Sequence, residues 1–241
     1  MKYILDMHTH TNACNHAYNT IAEMATSAKE KNLEILGITE HSPLMPGSPN
    51  EAYFRNLKNI DRNAYALPLL LGAELNILDD TGRVDLPNEV LKELDIVVAS
   101  IHGNLYSDLG LEANTNAYTN AMKNPYIHII GHPDDGCIPT DYDILATTAN
   151  ETHTLLELNN NSLAPTGYRR DARKNCIRLL EACKKHGTYI IINSDAHVIE
   201  NVGRHDYAES LVKELGFPKE LIVNQNLSLL QSFLQIKSNS I

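Results

Sequence analysis

Histidine and carboxylate side chains gather at the ends of short apolar segments of this chain. Seven of its eleven histidines, with one glutamate and one aspartate, stand at or just beyond such an end. These nine residues are His8, His10, His16, His41, Glu74, His102, His132, Asp195 and His197. Imidazole and carboxylate groups are ligands of zinc, iron and manganese. Their number and placement predict a centre of several metal ions and metal-assisted hydrolysis.

Two of these segments end in histidine motifs with alternate spacing. His8-Thr-His10 follows the first apolar run, and alternate residues of an extended chain share a face, so one ion can bind both imidazoles. Asp195-Ala-His197 repeats the same spacing after the last run. In a closed barrel the last strand lies beside the first. The two motifs are therefore predicted to meet.

Glu74 is predicted to bridge two metal ions. Its two oxygens can each bind a cation, and burying it without one would be costly. The alternative for Glu74 is a salt bridge to a neighbour such as Arg83. Nine ligands are more than two ions usually need, since zinc commonly takes three or four protein ligands. Three ions fit better, because His16 and His41 are surplus to a two-metal site.

The predicted strands and helices that carry these residues are typical of a β/α barrel. Apolar runs alternate with amphipathic stretches, which is typical of βα units and a parallel sheet. Seven strands are predicted, ending near Asp6, Thr39, Ala73, Ser100, Gly131, Leu158 and Ile192. Helices are predicted over 20–31, 51–63, 86–94, 114–123, 141–149, 170–186, 207–215 and 226–235, and a hairpin over 76–84. In such barrels functional groups gather at the carboxyl ends of the strands.

Length and composition narrow the class of protein. A chain of 241 residues suits one α/β barrel, so residues 1–241 are predicted to form a single domain. The net charge of −10 disfavours duplex nucleic acid as a partner. No apolar run is long enough to span a bilayer, and no room precedes the first strand for a signal peptide. Four scattered cysteines fit a reducing compartment, so a cytoplasmic protein is predicted. Homo-oligomers are not excluded.

With these residues assembled, the chain resembles the PHP (polymerase and histidinol phosphatase) superfamily over nearly its whole length. More narrowly, it resembles the small stand-alone bacterial PHP phosphatases with a trinuclear zinc centre. The resemblance rests on His8-Thr-His10, 16–20, 38–41, 72–76, 79–85, 128–133, 156–160 and 193–197. Glu40 stands before His41 where many relatives have aspartate. The resemblance implies a distorted (β/α)7 barrel, in agreement with the seven strands counted independently.

The resemblance also implies how the ligands are shared. One metal would be held by His8, His10, Glu74 and Asp195, a second by Glu74, His102 and His132, and a third by His16, His41 and His197. Zinc is the expected metal, with manganese or iron as alternatives. The catalytic groups would be Glu74, Asp195 and His197.

The activity expected from such a centre is hydrolysis of small phosphate monoesters. Two close metals would share a water, lower its pKa toward neutrality and present a bridging hydroxide in line with phosphorus. The third metal and cationic side chains would neutralise the other phosphate oxygens. Arg169, Arg170 and Arg204 are the predicted clamps, since a guanidinium binds phosphate in bidentate fashion. The partner would be a small phosphorylated substrate.

Four alternatives stay open. Histidinol phosphate is a candidate substrate, ranked below a general phosphate ester because the chain lacks room for long barrel insertions. A 3'-5' exonuclease acting on single-stranded ends is disfavoured by the acidic charge. A deaminase or lactonase of the amidohydrolase type would also have an H-x-H motif after its first strand. The motif Asp195-x-His197 and the additional His16 and His41 favour hydrolysis of phosphoesters instead. An idle metal-binding module would have lost ligands, and here all nine positions are filled.

Overall fold

A computed structural model describes residues 2–238. Seven parallel strands lie in chain order in one sheet. They are β1 (Leu5–Asp6), β2 (Ile35–His41), β3 (Leu69–Asn76), β4 (Ile96–Ser100), β5 (Ile129–Ile130), β6 (Leu155–Asn159) and β7 (Ile190–Asn193). The sheet curls until its ends meet, because Thr9 bridges Ala196 and the N–H of His10 donates to the Ala196 carbonyl over 2.9 Å. This distorted (β/α)7 barrel confirms the predicted fold and strand count.

Every predicted helix is present. They are α1 (Ile21–Glu30), α2 (Glu51–Asn56), α3 (Asn88–Leu91), α4 (Leu111–Met122), α5 (Tyr142–Glu151), α6 (Ala172–His186), α7 (Asp206–Glu214) and α8 (Leu227–Ser238). Thr20 and Glu23 form the expected capping box at the start of α1. The helix predicted over 51–63 is shorter and ends in a 3-10 turn, Leu57–Asn59. Arg62 donates hydrogen bonds to the carbonyl oxygens of Leu57 and Ile60, so these carbonyls are not available to continue the helix.

The sheet separates two apolar layers. One face of the strands packs against the surrounding helices and forms the larger cluster. The other face fills the barrel interior with Leu5, Met7, Ile96, Val98, Ile129, Leu155 and Ile191. Val223, Leu230 and Phe233 join this interior cluster. The segment with α8 therefore closes the barrel, as predicted for the C-terminal helix.

The inward face turns polar toward the carboxyl ends of the strands. Alternate residues of a strand share a face, so the position two residues beyond each interior residue also points inward. The interior residues Val98, Leu155 and Ile191 are followed at that distance by Ser100, Glu157 and Asn193, all buried. A layer of buried hydrogen-bonding side chains thus lies between the apolar interior and the carboxyl ends of the strands. Within residues 2–238, no helix combines the length and apolar composition needed to cross a membrane.

Candidate metal centre

Glu74 lies at the middle of the predicted ligand set. It is fully buried on β3, opposite His41 of β2 in the sheet register. Its Oε1 is 2.8 Å from His132 Nε2, 3.3 Å from His8 Nε2 and 3.3 Å from His102 Nε2. Its Oε2 is 2.6 Å from His41 Nδ1 and 3.7 Å from His10 Nε2. The two oxygens therefore face two different groups of imidazoles, as a bridging carboxylate requires.

The alternative partner of Glu74 lies elsewhere. Arg83 pairs with Asp79 within the hairpin that follows β3, at 2.8 Å between Nε and Oδ2. This hairpin is present as predicted, with an antiparallel bridge between Ile77 and Val84. Glu74 is thus surrounded by imidazoles, and the alternative salt bridge to Arg83 is not formed.

Asp195 enters the site through a turn, which differs from the extended geometry predicted for its motif. Asp195 has φ 53°, and the predicted ligand His132 has φ 29°. Left-handed conformations of non-glycine residues cost about 1–3 kcal/mol when they are strained, and they concentrate at functional sites. The turn points the Asp195 carboxylate inward, with Oδ1 3.4 Å from His10 Nε2 and 3.8 Å from His8 Nε2. The predicted meeting of the two motifs is confirmed, although by this turn.

The remaining predicted ligands stack around His10. Its ring centroid lies 4.2 Å from that of His41 and 4.4 Å from that of His197. The His16 ring is 4.9 Å from both His41 and His197. Three ligand trios have donor atoms within 4.8 Å of one another: His8, His10 and Glu74; His41, Glu74 and His102; His10, His41 and His197. The structure thus brings all nine predicted ligands into one continuous cluster.

The cluster fits bound cations because its buried atoms are not satisfied by the protein. Among the described residues, His8 Nε2, His10 Nδ1, His41 Nδ1 and Glu74 Oε2 are buried without a hydrogen bond. The last two lie 2.6 Å apart, but their geometry is not that of a hydrogen bond. Buried polar atoms in folded proteins nearly always have a partner. A donor set of imidazoles and carboxylates suits zinc, iron or manganese. Bound metal ions would satisfy these atoms.

Two ligand histidines are held by hydrogen bonds on the far side of their rings. His8 Nδ1 lies 2.8 Å from Glu157 Oε1, and His102 Nδ1 lies 2.8 Å from Asn76 Oδ1. Such contacts fix the ring orientation and leave Nε2 free for a metal. Sequence reasoning missed Glu157. An acidic residue within the buried apolar strand β6 was the signal that could have revealed it.

The charges of the centre follow from burial and close neighbours. Burial would raise the pKa of Glu74, but His8 and His102 hold that pKa well below its usual range. Burial, then His41 and His197, keeps the pKa of His10 well below its usual range. Burial and Arg169 lower the pKa of His132 to about 4. His10 and His132 are therefore neutral near pH 7, which is the state that binds metal.

A cavity of about 590 Å³ opens directly onto the cluster. Six of the nine predicted ligands line it: His16, His41, His102, His132, Asp195 and His197. Glu40 is not among the residues that line it. Instead, its buried carboxylate accepts hydrogen bonds from Thr11 and, over 2.9 Å, from Cys14 Sγ. Glu40 thus holds the loop that carries His10 and His16.

The three predicted arginine clamps occupy different positions. Arg169 lines the cavity, is buried, and donates to Ser162 Oγ over 2.8 Å and to Asp195 Oδ2 over 3.4 Å. Arg170 donates to the Gly136 carbonyl, and Arg204 pairs with Asp206 over 3.1 Å. Neither is among the residues that line the cavity in the described chain. The structure thus brings one of the three guanidinium groups to the cluster of predicted ligands.

Known proteins share the sequence of this chain over most of its length. A family model described as the PHP domain matches residues 6–195. A probable phosphatase of Clostridium novyi (strain NT) is 41% identical over 237 residues, which are 98% of this chain and 96% of that protein. A probable phosphatase of Caldanaerobacter subterraneus subsp. tengcongensis is 40% identical over 242 residues, which are 100% of this chain and 94% of that protein.

The fold has a counterpart among solved structures. Histidinol phosphate phosphatase from Lactococcus lactis subsp. lactis, crystallised with zinc, L-histidinol and phosphate, superposes with a TM-score of 0.63 at 19% sequence identity. The match covers 90% of this chain and 95% of that one. The domain match spans most of the sequence, and the relatives align over nearly their whole lengths. This chain belongs to the PHP family.

Proposed function

We propose that this protein is a metal-dependent phosphatase that hydrolyses small phosphate monoesters. The observation that carries the proposal is the set of buried, unsatisfied ligand atoms around Glu74, which lies beneath an open cavity that also contains Arg169. Two relatives aligned over nearly the whole chain are named probable phosphatases, which supports the same reaction class. The substrate enters as a small anion, because the site offers cations in an otherwise acidic protein.

The proposed metal complement is three divalent ions, with zinc first and manganese or iron as alternatives. The first would bind His8, His10, Glu74 and Asp195; the second Glu74, His102 and His132; the third His16, His41 and His197. The role of Glu74 as the bridge is supported by its position between the two sets of imidazoles. Its carboxylate lies within 3.7 Å of His8 and His10, assigned to the first ion, and within 3.3 Å of His102 and His132, assigned to the second. When bound, the metals would supply positive charge for the phosphate oxygens and a water acidic enough to act as nucleophile at neutral pH.

The chain's own residues would position the ester. Arg169 is the proposed phosphate clamp, since Ser162 and Asp195 fix its guanidinium at the cavity wall. Burial lowers the pKa of Arg169, but Asp195 and Asp134 outweigh it and raise that pKa above its ordinary value, so the guanidinium stays charged. Asp195 and His197 line the same cavity and are the other proposed catalytic groups, acting as metal ligands beside the reacting phosphate. Arg170 and Arg204 have partners outside the cavity, so we assign the phosphate contact to Arg169.

The test is metal content paired with hydrolysis. Purified protein is analysed for metals, then assayed with p-nitrophenyl phosphate, histidinol phosphate, a single-stranded oligonucleotide and a lactone. The assays are repeated after chelation and after return of zinc, manganese or iron. We expect close to three metals per chain and phosphate release that chelation abolishes and metal restores. Metal without phosphatase activity would favour the exonuclease or lactonase alternatives, and a metal-free active protein would exclude the proposal.

A further inference from the structure

The hairpin after β3 ends at Asp85, whose half-buried carboxylate joins two ligand-bearing strand ends. Its Oδ1 accepts hydrogen bonds from Ser42 Oγ over 2.6 Å and from the Asn76 backbone N–H over 2.9 Å. Its Oδ2 accepts from the Leu44 N–H over 3.0 Å and from Asn76 Nδ2 over 2.8 Å. One side chain thus ties the segment after His41 to the end of β3. Asp85 is not among the predicted metal ligands.

The Asn76 amide carries this connection to a metal ligand. Its Nδ2 donates to Asp85 and also to Ser42 Oγ over 2.9 Å, so both of its N–H bonds point away from His102. Its Oδ1 therefore faces His102 Nδ1 at 2.8 Å. An amide oxygen only accepts, so Nδ1 of His102 must carry the proton and Nε2 keeps a free lone pair. That Nε2 points into the cluster, 3.3 Å from Glu74 Oε1.

We propose that Asp85 is a positioning residue that selects the metal-binding tautomer of His102 through Asn76. By accepting the amide N–H of Asn76, Asp85 prevents that amide from turning its NH2 group toward His102. A turned amide would need an acceptor at Nδ1, which would move the imidazole proton to Nε2 and block the metal. This role rests on the proposed metal-dependent function, because it concerns a ligand of the second ion.

The simpler alternative is that Asp85 only stabilises its hairpin. Asp79 offers a matched control, because it is an aspartate of the same hairpin that accepts hydrogen bonds from Thr81 and Arg83. Its contacts stay within the turn and reach no predicted ligand. Asp79→Asn therefore loosens the hairpin, whereas Asp85→Asn also disturbs Asn76. Whichever way the new amide at position 85 turns, its NH2 group meets either the Asn76 amide or the Asn76 backbone N–H, and both are donors.

The first readout is the His102 tautomer in metal-free protein, measured by ¹⁵N NMR of the imidazole nitrogens. The second is zinc affinity, measured by equilibrium dialysis against chelator-buffered zinc. For Asp85→Asn we expect Nε2 to gain proton occupancy and one zinc to bind about 10- to 100-fold more weakly. For Asp79→Asn we expect both to match the parent protein. An unchanged tautomer and affinity in Asp85→Asn, or equal losses in Asp79→Asn, would overturn the role.

A charge-swapped double variant keeps the test decisive if Asp85→Asn does not fold. In N76D/D85N, a carboxylate next to His102 accepts the Nδ1 proton directly, and the amide at position 85 donates to that carboxylate. We expect the double variant to restore the Nδ1-protonated tautomer and to recover most of the zinc affinity. A folded double variant with the wrong tautomer would refute the proposal. Absence of zinc and phosphatase activity in the parent protein would instead refute the proposed function, because the tautomer is read without metal.

Discussion

The metal centre has two halves that differ in depth and in chemistry. The deep half consists of His8, His10, Glu74, His102, His132 and Asp195, each at most 8% exposed. The open half consists of His16, which is exposed, and His197, whose side chain is 24% exposed. His41 lies between them, since it contacts Glu74 on one side and stacks with His16 on the other. Both carboxylate ligands belong to the deep half.

The difference shows how firmly each half should hold a cation. In the deep half, Glu157 and Asn76 orient two imidazoles by buried hydrogen bonds of 2.8 Å. In the open half, His16 Nδ1 has only a 3.4 Å contact to Asn15, the neighbouring residue. A buried charge costs free energy when it has no counter-ion, whereas an exposed imidazole can be solvated by water at little cost. We therefore expect the deep half to depend on metal for its stability and the open half to exchange its ion with solvent more readily.

Glu74→Gln should cause the largest loss of phosphatase activity. It removes the carboxylate that the first and second proposed metal ions would share. The amide keeps the size of the side chain but loses the charge that bridges two cations. We expect phosphate release to fall by at least about three orders of magnitude, since metal ions supply several kcal/mol to such reactions. Elemental analysis should also show a lower metal content. Undiminished turnover would remove Glu74 from the centre.

Arg169→Met should have the next largest effect. Arg169 is the guanidinium at the cavity wall, and a charge-assisted hydrogen bond contributes about 1.5–3 kcal/mol. We therefore expect the inhibition constant of inorganic phosphate to rise about 10- to 100-fold while metal content is retained. Arg204→Met is the matched control, because Arg204 pairs with Asp206 outside the cavity. Equal effects in the two variants would show that Arg169 is not the clamp.

The contrast between Arg169 and Arg170 also shows what the sequence can predict. Strands, helices and ligand types follow from local periodicity and side-chain chemistry, and they were predicted. Which of two adjacent arginines enters the cavity depends on the path of the loop after β6, which no local pattern specifies. The roles of Glu157 and Asp85 depend on hydrogen bonds between residues distant in the chain. The extended geometry predicted for Asp195 was wrong because the left-handed turn at that residue has no sequence signal there.

Glu157→Gln tests whether the hydrogen bonds of Glu157 stabilise the deep half of the site. Oε1 of Glu157 lies 2.8 Å from both His8 Nδ1 and Asn193 Nδ2. Oε2 accepts from the His132 N–H over 2.8 Å and from Asn159 Nδ2 over 3.0 Å. An amide NH2 group in either position would face donors. We expect unfolding free energy in urea to fall by about 2–4 kcal/mol and zinc affinity to fall about 10- to 100-fold.

Asp143→Asn is a suitable control for that experiment, because Asp143 pairs with Lys185 and His186 on the surface at the start of α5. Exposed ion pairs contribute about 0–1 kcal/mol, so its unfolding midpoint should move little. Its zinc affinity should equal that of the parent protein. A Glu157→Gln protein with parental stability and affinity would mean that His8 is oriented by packing alone.

His16→Ala should have the smallest effect and separates the two halves most clearly. His16 is exposed at the open end of the site, so the metal-free protein should keep its unfolding free energy within about 0.5 kcal/mol. We expect metal content to fall by one ion per chain, with the deep half still loaded. A weak chelator should remove that same ion first from the parent protein. Loss of all metal in His16→Ala would show that the halves bind cooperatively and would refute the division drawn from burial.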